Sequence, residues 1–252
     1  MKNIIDLIKS DDWPQAVDLN LVCDESNEKD KTERAESIVT LVINNAHYGK
    51  RVLDFGCGEG HVADFMLKHG ASNVVGYDIQ NKFSNFEKVL LTTNWEIVEK
   101  NGPYDFINVY DVMDHLENIN QIEAFILLKS VLAEGGKIYV RYHPYMSRHG
   151  AHIYKHLNKA FAHIFLEEDE IKELVPVESM IFTHAITFPQ TSYSHFAKLA
   201  GLKTEASYNT TKKVEEFFNN LNIQNYLKNK LKISKFPIHA MTIEFIDKVY
   251  TL

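Results

Sequence analysis

"VLDFGCGEG", residues 52–60, decides the fold of this chain. A short apolar run from Arg51 to Phe55 ends in the spacing Gly56-x-Gly58-x-Gly60. "HVADFMLKHG" (61–70) then reads as a helix, with Val62, Phe65 and Met66 on one side and Gly70 as its stop. Strand, glycine loop and helix in that order make a nucleotide-type site. The dinucleotide fingerprint needs its third glycine one place later, where this chain has His61. Asp54 puts a carboxylate where a pyrophosphate would be repelled, and no Gly-Lys-Ser/Thr follows to cradle phosphates. The loop suits a nucleoside without phosphates whose far end is positively charged.

Outward from the loop, strands and helices alternate. "NVVGYDI" (73–79) is a second strand, a weaker third lies near "WEIVE" (95–99), and "YDFINVYD" (104–111) is a fourth. "QIEAFILLKSVLAEGG" (121–136) is a helix ending at paired glycines, and "KIYVRYH" (137–143) is a fifth strand. This rhythm predicts right-handed crossovers and a mostly parallel sheet covered on both faces. Asp78 ends the second strand eighteen residues after Gly60, where a carboxylate accepts hydrogen bonds from ribose hydroxyls in doubly wound nucleotide folds.

Upstream, the charged run 24–37 reads as the solvated entry to a helix. Ile38, Val39, Leu41 and Val42, with apolar residues such as Leu7, would dock this segment on the main core. Past residue 143 the rhythm breaks for about fifty residues, a departure that is commonly functional because ligands bind at the carboxyl ends of the strands. It resumes at "SYSHFAKLAGLKTEASY" (192–208), followed by a polar helical stretch (212–231) and a closing strand, "HAMTIEFIDKVY" (239–250).

"VLDFGCGEG", "VVGYDI" and "YDFINVYDVMDHLE" resemble the successive strand-end motifs of class I S-adenosylmethionine-dependent methyltransferases, over roughly residues 50–142. The resemblance implies an α/β, doubly wound, mostly parallel seven-stranded Rossmann-like sheet in one domain. It would comprise an N-terminal helical segment (1–47), a cofactor-binding half (48–142), a substrate-side insertion after the fifth strand (143–195) and a C-terminal part of the sheet (196–252). It also implies S-adenosylmethionine as cofactor. Gly56, Cys57, Gly58 and Gly60 would let the backbone approach it, and Asp54 would lie near its amino acid end. Asp78 would hold the ribose, Ile79 would pack on the adenine, and Asp111 would be near the methionine part. Asn94, with Trp95 beside it, falls where the family often has an acid contacting the adenine amino group. Asn there is a departure that keeps hydrogen bonding and loses charge.

At 252 residues, 45% hydrophobic and 24% charged, the chain has the composition of a soluble globular protein. The formal net charge of -7 and the scattered Lys and Arg argue against affinity built on neutralising phosphates. Two cysteines are too few for a disulfide framework. No apolar run approaches a membrane span and the N-terminus lacks a signal-peptide core, so the expectation is a cytoplasmic protein with no membrane partner. The Asn/Asp-Pro-Pro-Tyr/Phe motif of nucleic-acid amino-methyltransferases is replaced by "YDVMD", and a Pro-Cys nucleophile is also missing, which disfavours DNA.

The segment "HPYMSRHGAHIYKH" (143–156) holds four histidines. His143 ends the fifth strand at the cleft and has the chemistry of a general base; His115, at the start of a helix after the fourth strand, is the other candidate. Ile153, Leu157, Ala160, Phe161 and Ile164 make one apolar stripe of a predicted helix, and His152, His156, Lys159 and His163 a second. His152 and His156 have a spacing that could bind metal, but no Glu accompanies them and Lys159 shares the stripe, so no metal is assigned. Tyr145, Arg148, His149, His152 and His156 are read as lining the acceptor pocket, and the acceptor as a small molecule. An RNA or protein methyltransferase, a non-catalytic cofactor-binding protein and a metal-dependent enzyme remain as alternatives.

Overall fold

In the computed structural model, the described residues are 4–19, 23, 26–116, 120–142, 148, 153–175, 190–209, 224–225 and 248–251. Seven strands form one sheet in the order β3-β2-β1-β4-β5-β7-β6. They are β1 (Arg51–Phe55), β2 (Asn73–Tyr77), β3 (Leu90–Thr92), β4 (Tyr104–Tyr110), β5 (Leu132–Tyr142), β6 (Ala206–Asn209) and β7 (Lys248–Thr251). The first five run parallel, whereas β7 is antiparallel to both β5 and β6. Order reverses between β1, which leads outward to β2, and β4, which leads outward to β5. The carboxyl ends of β1 and β4 therefore flank the crevice where ligands bind in such sheets.

The central strands are apolar along their length because both faces are covered. Leu53, Val75, Ile107, Val109 and Val140 pack with helix α5 (Asn120–Ser130) and helix α8 (Gln190–Leu199) on one face. Val52, Val74 and Phe106 pack with helix α3 (His61–Lys68) on the other. Helix α2 (Glu28–Ser37), capped by the Asn27 side chain, continues into a π-helical turn, Ile38–Val42.

Three local predictions are corrected. "WEIVE" is not a strand: helix α4 (Trp95–Asn101) starts there because the Asn94 side chain caps it, accepting from the Glu96 amide at 2.9 Å. The third strand is Leu90–Thr92 instead. Helix α5 ends at Ser130, and β5 already begins at Leu132, running through the paired glycines. Gly135 has a φ of +72°, and a Cβ on Gly136 would lie 3.0 Å from the Tyr104 carbonyl, so the glycines turn the strand entry against β4.

The third correction concerns the segment after β5. The predicted helix over 153–164 is broken into a 3-10 turn (Ile153–Lys155) and helix α6 (Ala162–Phe165), followed by α7 (Glu168–Lys172). The Ala160 and Phe161 amides donate to the carbonyls of Pro14 and Arg148, both at 2.8 Å, instead of to the preceding helical turn. Phe161 adopts a left-handed φ of +58° there. As a result His156 is exposed and His163 buried, so the predicted polar stripe does not exist.

Helix α1 (Ile4–Lys9) also docks elsewhere than on the main core. Ile4, Ile8 and Trp13 share a separate core with Ile153, Phe161, Phe165 and Ile171. The Trp13 indole N–H donates to the Ala160 carbonyl at 2.8 Å, and the Asn158 amide side chain both donates to and accepts from the Val17 backbone at 2.9 Å. The N-terminal segment and the insertion thus build one cap. Among the described residues no helix is long and apolar enough to cross a membrane.

Candidate functional site

The glycine loop is bent by three left-handed residues, Gly56 (φ +73°), Gly58 (+55°) and Gly60 (+96°). A Cβ on Gly56 would sit 2.3 Å from a methyl of Val112, and one on Gly60 2.6 Å from Leu91. These two glycines are needed for packing as well as for φ. A Cβ on Gly58 would meet nothing within 4 Å: this face of the loop is open. The Gly56 and Cys57 amides both donate to the Tyr77 carbonyl, at 2.7 and 3.0 Å, tying the loop to the end of β2. Cys57 Sγ packs where a Cβ on Gly76 would be, and burial pushes its thiol well above the ordinary range, so it is a packing residue of the loop rather than a nucleophile.

Asp78, just past β2, accepts from the Gly58 amide through Oδ2 and from the Gln80 amide through Oδ1, both at 2.9 Å. Its remaining lone pairs face outward beside the open loop. Ile79 next to it is 78% exposed, a large apolar surface at the rim. Trp95 sets its ring edge-on to Tyr77 and Phe55 and donates to Glu99. Asn94 is exposed, with its oxygen committed to capping α4.

Asp54 is buried beneath the loop. Asn108 of β4, its register partner, donates to Oδ1 at 2.7 Å, whereas Oδ2 has no hydrogen-bond partner among the described residues. Burial pushes this carboxyl up to about 6, with the Asp78 charge adding to the rise and the Asn108 bond opposing it.

At the end of β4, Asp111 takes a left-handed φ of +56° and its amide donates to the Arg141 carbonyl at 2.8 Å. Its carboxylate pairs with the buried Arg141 guanidinium of β5, and Arg34 of α2 approaches the other oxygen at 3.6 Å. Both guanidiniums lie over the Tyr110 ring, Arg141 at 4.7 Å and Arg34 at 5.8 Å. Burial pushes the Asp111 carboxyl up against the pull of Arg141. Asp114, fully buried, adds another acid. His115 is exposed on the 3-10 turn Met113–His115, not at the start of a helix.

Asp54, the open loop, Asp78 and Asp111 therefore converge at the carboxyl ends of β1, β2 and β4. Arg148 lies among the described residues and accepts from Phe161 through its carbonyl, and His156 is exposed on the cap. His143, Tyr145, His149 and His152 lie outside the described residues. Glu28, Glu59 and His61 also come together. Lys31 Nζ sits among them, 2.7 Å from Glu59 and 3.0 Å from Glu28, so a cation already neutralises this cluster.

Sequence reading missed Asn108, Arg141 and Arg34. The first two carried a signal, since a polar residue inside a run such as "FINVY" or "IYVRY" must be paired when its strand is buried on both faces. Arg34 carried none, standing in a generic charged run.

The residues fit a phosphate-free nucleoside with a cationic end. The loop face at Gly58 is open, Asp54 has an orphaned buried oxygen, and the surrounding acids would repel a pyrophosphate.

The family model of the methyltransferase domain matches residues 27–207. A ribosomal protein L11 methyltransferase of Alteromonas mediterranea is 36% identical over 85 residues, covering 34% of this chain and 25% of that protein. An Escherichia coli ribosomal protein L11 methyltransferase is 32% identical over a stretch of the same length. The chain spans about a quarter of the length of these curated relatives. Among solved structures, an S-adenosylmethionine-dependent methyltransferase from Archaeoglobus fulgidus aligns with a TM-score of 0.50 at 13% identity, covering 87% of this chain and 92% of that one. A mycolic acid cyclopropane synthase aligns with a TM-score of 0.52 at 14% identity, covering 92% and 91%. The chain belongs to the methyltransferase-domain family and has the class I, S-adenosylmethionine-dependent fold.

Proposed function

We propose that this chain transfers the methyl group of S-adenosylmethionine to a small-molecule acceptor. The observation that carries the reading is the convergence of Asp54, the open Gly58 face, Asp78 and Asp111 at the strand ends beside the switch from β1 to β4. When bound, the cofactor supplies a methyl group already activated on a sulfonium. The chain's own task is then to hold two reactants in line. Gly56, Cys57, Gly58 and Gly60 shape the approach, Asp78 takes the ribose hydroxyls, Ile79, Asn94 and Trp95 border the adenine, and Asp54 and Asp111 face the amino acid end.

The cap supports an acceptor site that is covered and small. It brings the N-terminal segment onto the insertion that follows β5, and the segment 143–156 leads from the sheet into it. Tyr145, Arg148, His149, His152 and His156 are assigned to the acceptor side. Asp111 is tied to Arg141 and Arg34 and is poorly placed to take a proton. His143 and His115 therefore remain the candidates for accepting one from a hydroxyl or amine acceptor. His143→Ala should leave cofactor affinity intact and reduce turnover; equal turnover would remove it from catalysis.

The similarity to ribosomal protein L11 methyltransferases favours one second reading, a protein acceptor. Incubation with methyl-labelled cofactor and cell extract, separated by mass, decides between the two. Label in the low-mass fraction supports the small-molecule reading, and label confined to protein replaces it. Absence of calorimetric binding of S-adenosylhomocysteine would sink both.

A further inference from the structure

Helix α2 approaches the mouth of the site without an apolar face. Seven of its ten residues are charged, and Ala35 alone is buried. Its C-terminal end is anchored, because it runs into the π-helical turn where Ile38 and Val39 are buried. Its preceding turns are held by charge. Lys31 reaches Glu59 on the glycine loop at 2.7 Å, Glu28 meets His61 at 2.9 Å, and Arg34 meets Asp111 at 3.6 Å.

Arg34 differs from the other cations of the mouth. Lys31 is 15% exposed and shared between two glutamates, and Arg141 is 6% exposed and pressed on Asp111. Arg34 is 49% exposed, its contact with Asp111 is loose, and its charge is felt at Asp54. Asp54, Asp78, Asp111 and Asp114 make the mouth acidic. They suit the ammonium of an amino acid tail and repel its carboxylate. A guanidinium fork half open to solvent is the group that can take a carboxylate in bidentate fashion.

We propose that Arg34 receives the carboxylate at the amino acid end of the cofactor, and that α2 is an ionic clasp closing on that end. The inference rests on the cofactor reading above. The carboxylate would add a tie to a helix whose charged turns are otherwise held by screenable pairs. Salt should therefore weaken carboxylate-bearing ligands selectively.

The test is calorimetry with S-adenosylhomocysteine and with its decarboxylated analogue, which keeps the adenosine, sulfur and amine. Arg34→Met should lower affinity for S-adenosylhomocysteine roughly tenfold or more, as for loss of a charged hydrogen-bond pair, and leave the analogue unchanged. Arg34→Lys should fall between. In the wild type, raised ionic strength should weaken S-adenosylhomocysteine more than the analogue. Equal losses for both ligands, or no loss for either, overturn the assignment. If the wild type binds neither ligand, the cofactor reading itself has failed, an outcome distinct from selective or unselective loss.

Discussion

Asp54 on β1 and Asn108 on β4 face one another across the parallel pair, and the Asn108 amide donates to Asp54 Oδ1 at 2.7 Å. The pair sits under the glycine loop and leaves one oxygen of each side chain without a partner. A parallel strand buried on both faces does not hold such groups for stability, since an unsatisfied buried carboxylate costs free energy. They are better understood as held ready for a cation.

The first prediction follows from the sign of that shift. The Asp54 carboxyl titrates near 6 in the folded chain and near 3.8 when free, so the folded state holds the proton more tightly. The stability this gives is complete below the unfolded value and is lost as pH rises through about 6. Asp54→Asn should therefore match the wild type in acid and exceed it at neutral pH by an amount on the order of 3 kcal/mol. Thermal melts across the pH range check this. The same variant should bind S-adenosylhomocysteine more weakly at neutral pH. A variant no more stable than wild type at neutral pH would contradict it.

A second prediction concerns Asp78, which holds the Gly58 amide and still faces the open loop. Asp78→Ala removes both that tie and the acceptor for ribose hydroxyls. Calorimetry should show cofactor affinity falling roughly a hundredfold, the scale of two hydrogen bonds to a charged group. Unchanged affinity would remove Asp78 from the ribose site.

A third concerns Asp111 and Arg141, a buried pair at the ends of β4 and β5. Removing one member leaves an uncompensated buried charge. Arg141→Met should cost about 3–5 kcal/mol by chemical denaturation, and the double variant with Asp111→Asn should recover most of it. If the losses simply add, the two side chains are not coupled.

What the sequence made legible was the part whose signals are local. A glycine spacing between strand and helix, and acids at strand ends, placed Asp54, Asp78 and Asp111 because chain direction alone brings those ends together. The misreadings came from competition that no local pattern reveals. "WEIVE" has strand-like residues, yet one hydrogen bond from the Asn94 side chain suffices to start a helix. The stripe over 153–164 has helical spacing, yet its amides are claimed by Pro14 and Arg148, distant in sequence. Arg34 reaches the site through a helix whose own sequence reads only as solvated.

The fourth prediction tests the cap as a unit. Trp13 is 2% exposed, packs edge-on to Phe165 at 5.4 Å and donates to the Ala160 carbonyl. Its core shares no residue with the two that flank the sheet. Trp13→Ala removes a large buried side chain, a change that commonly costs about 3–5 kcal/mol. The loss should fall on the cap, because cooperative units open by themselves when their own core is weakened. Hydrogen exchange should speed up at the amides of residues 160–166 and stay slow in β1 and β4. S-adenosylhomocysteine affinity should be retained, since Asp54, Asp78 and the glycine loop lie on the sheet. Equal deprotection of β1 and the cap would mean that the chain unfolds as one body and that the N-terminal segment is not a distinct cover over the acceptor side.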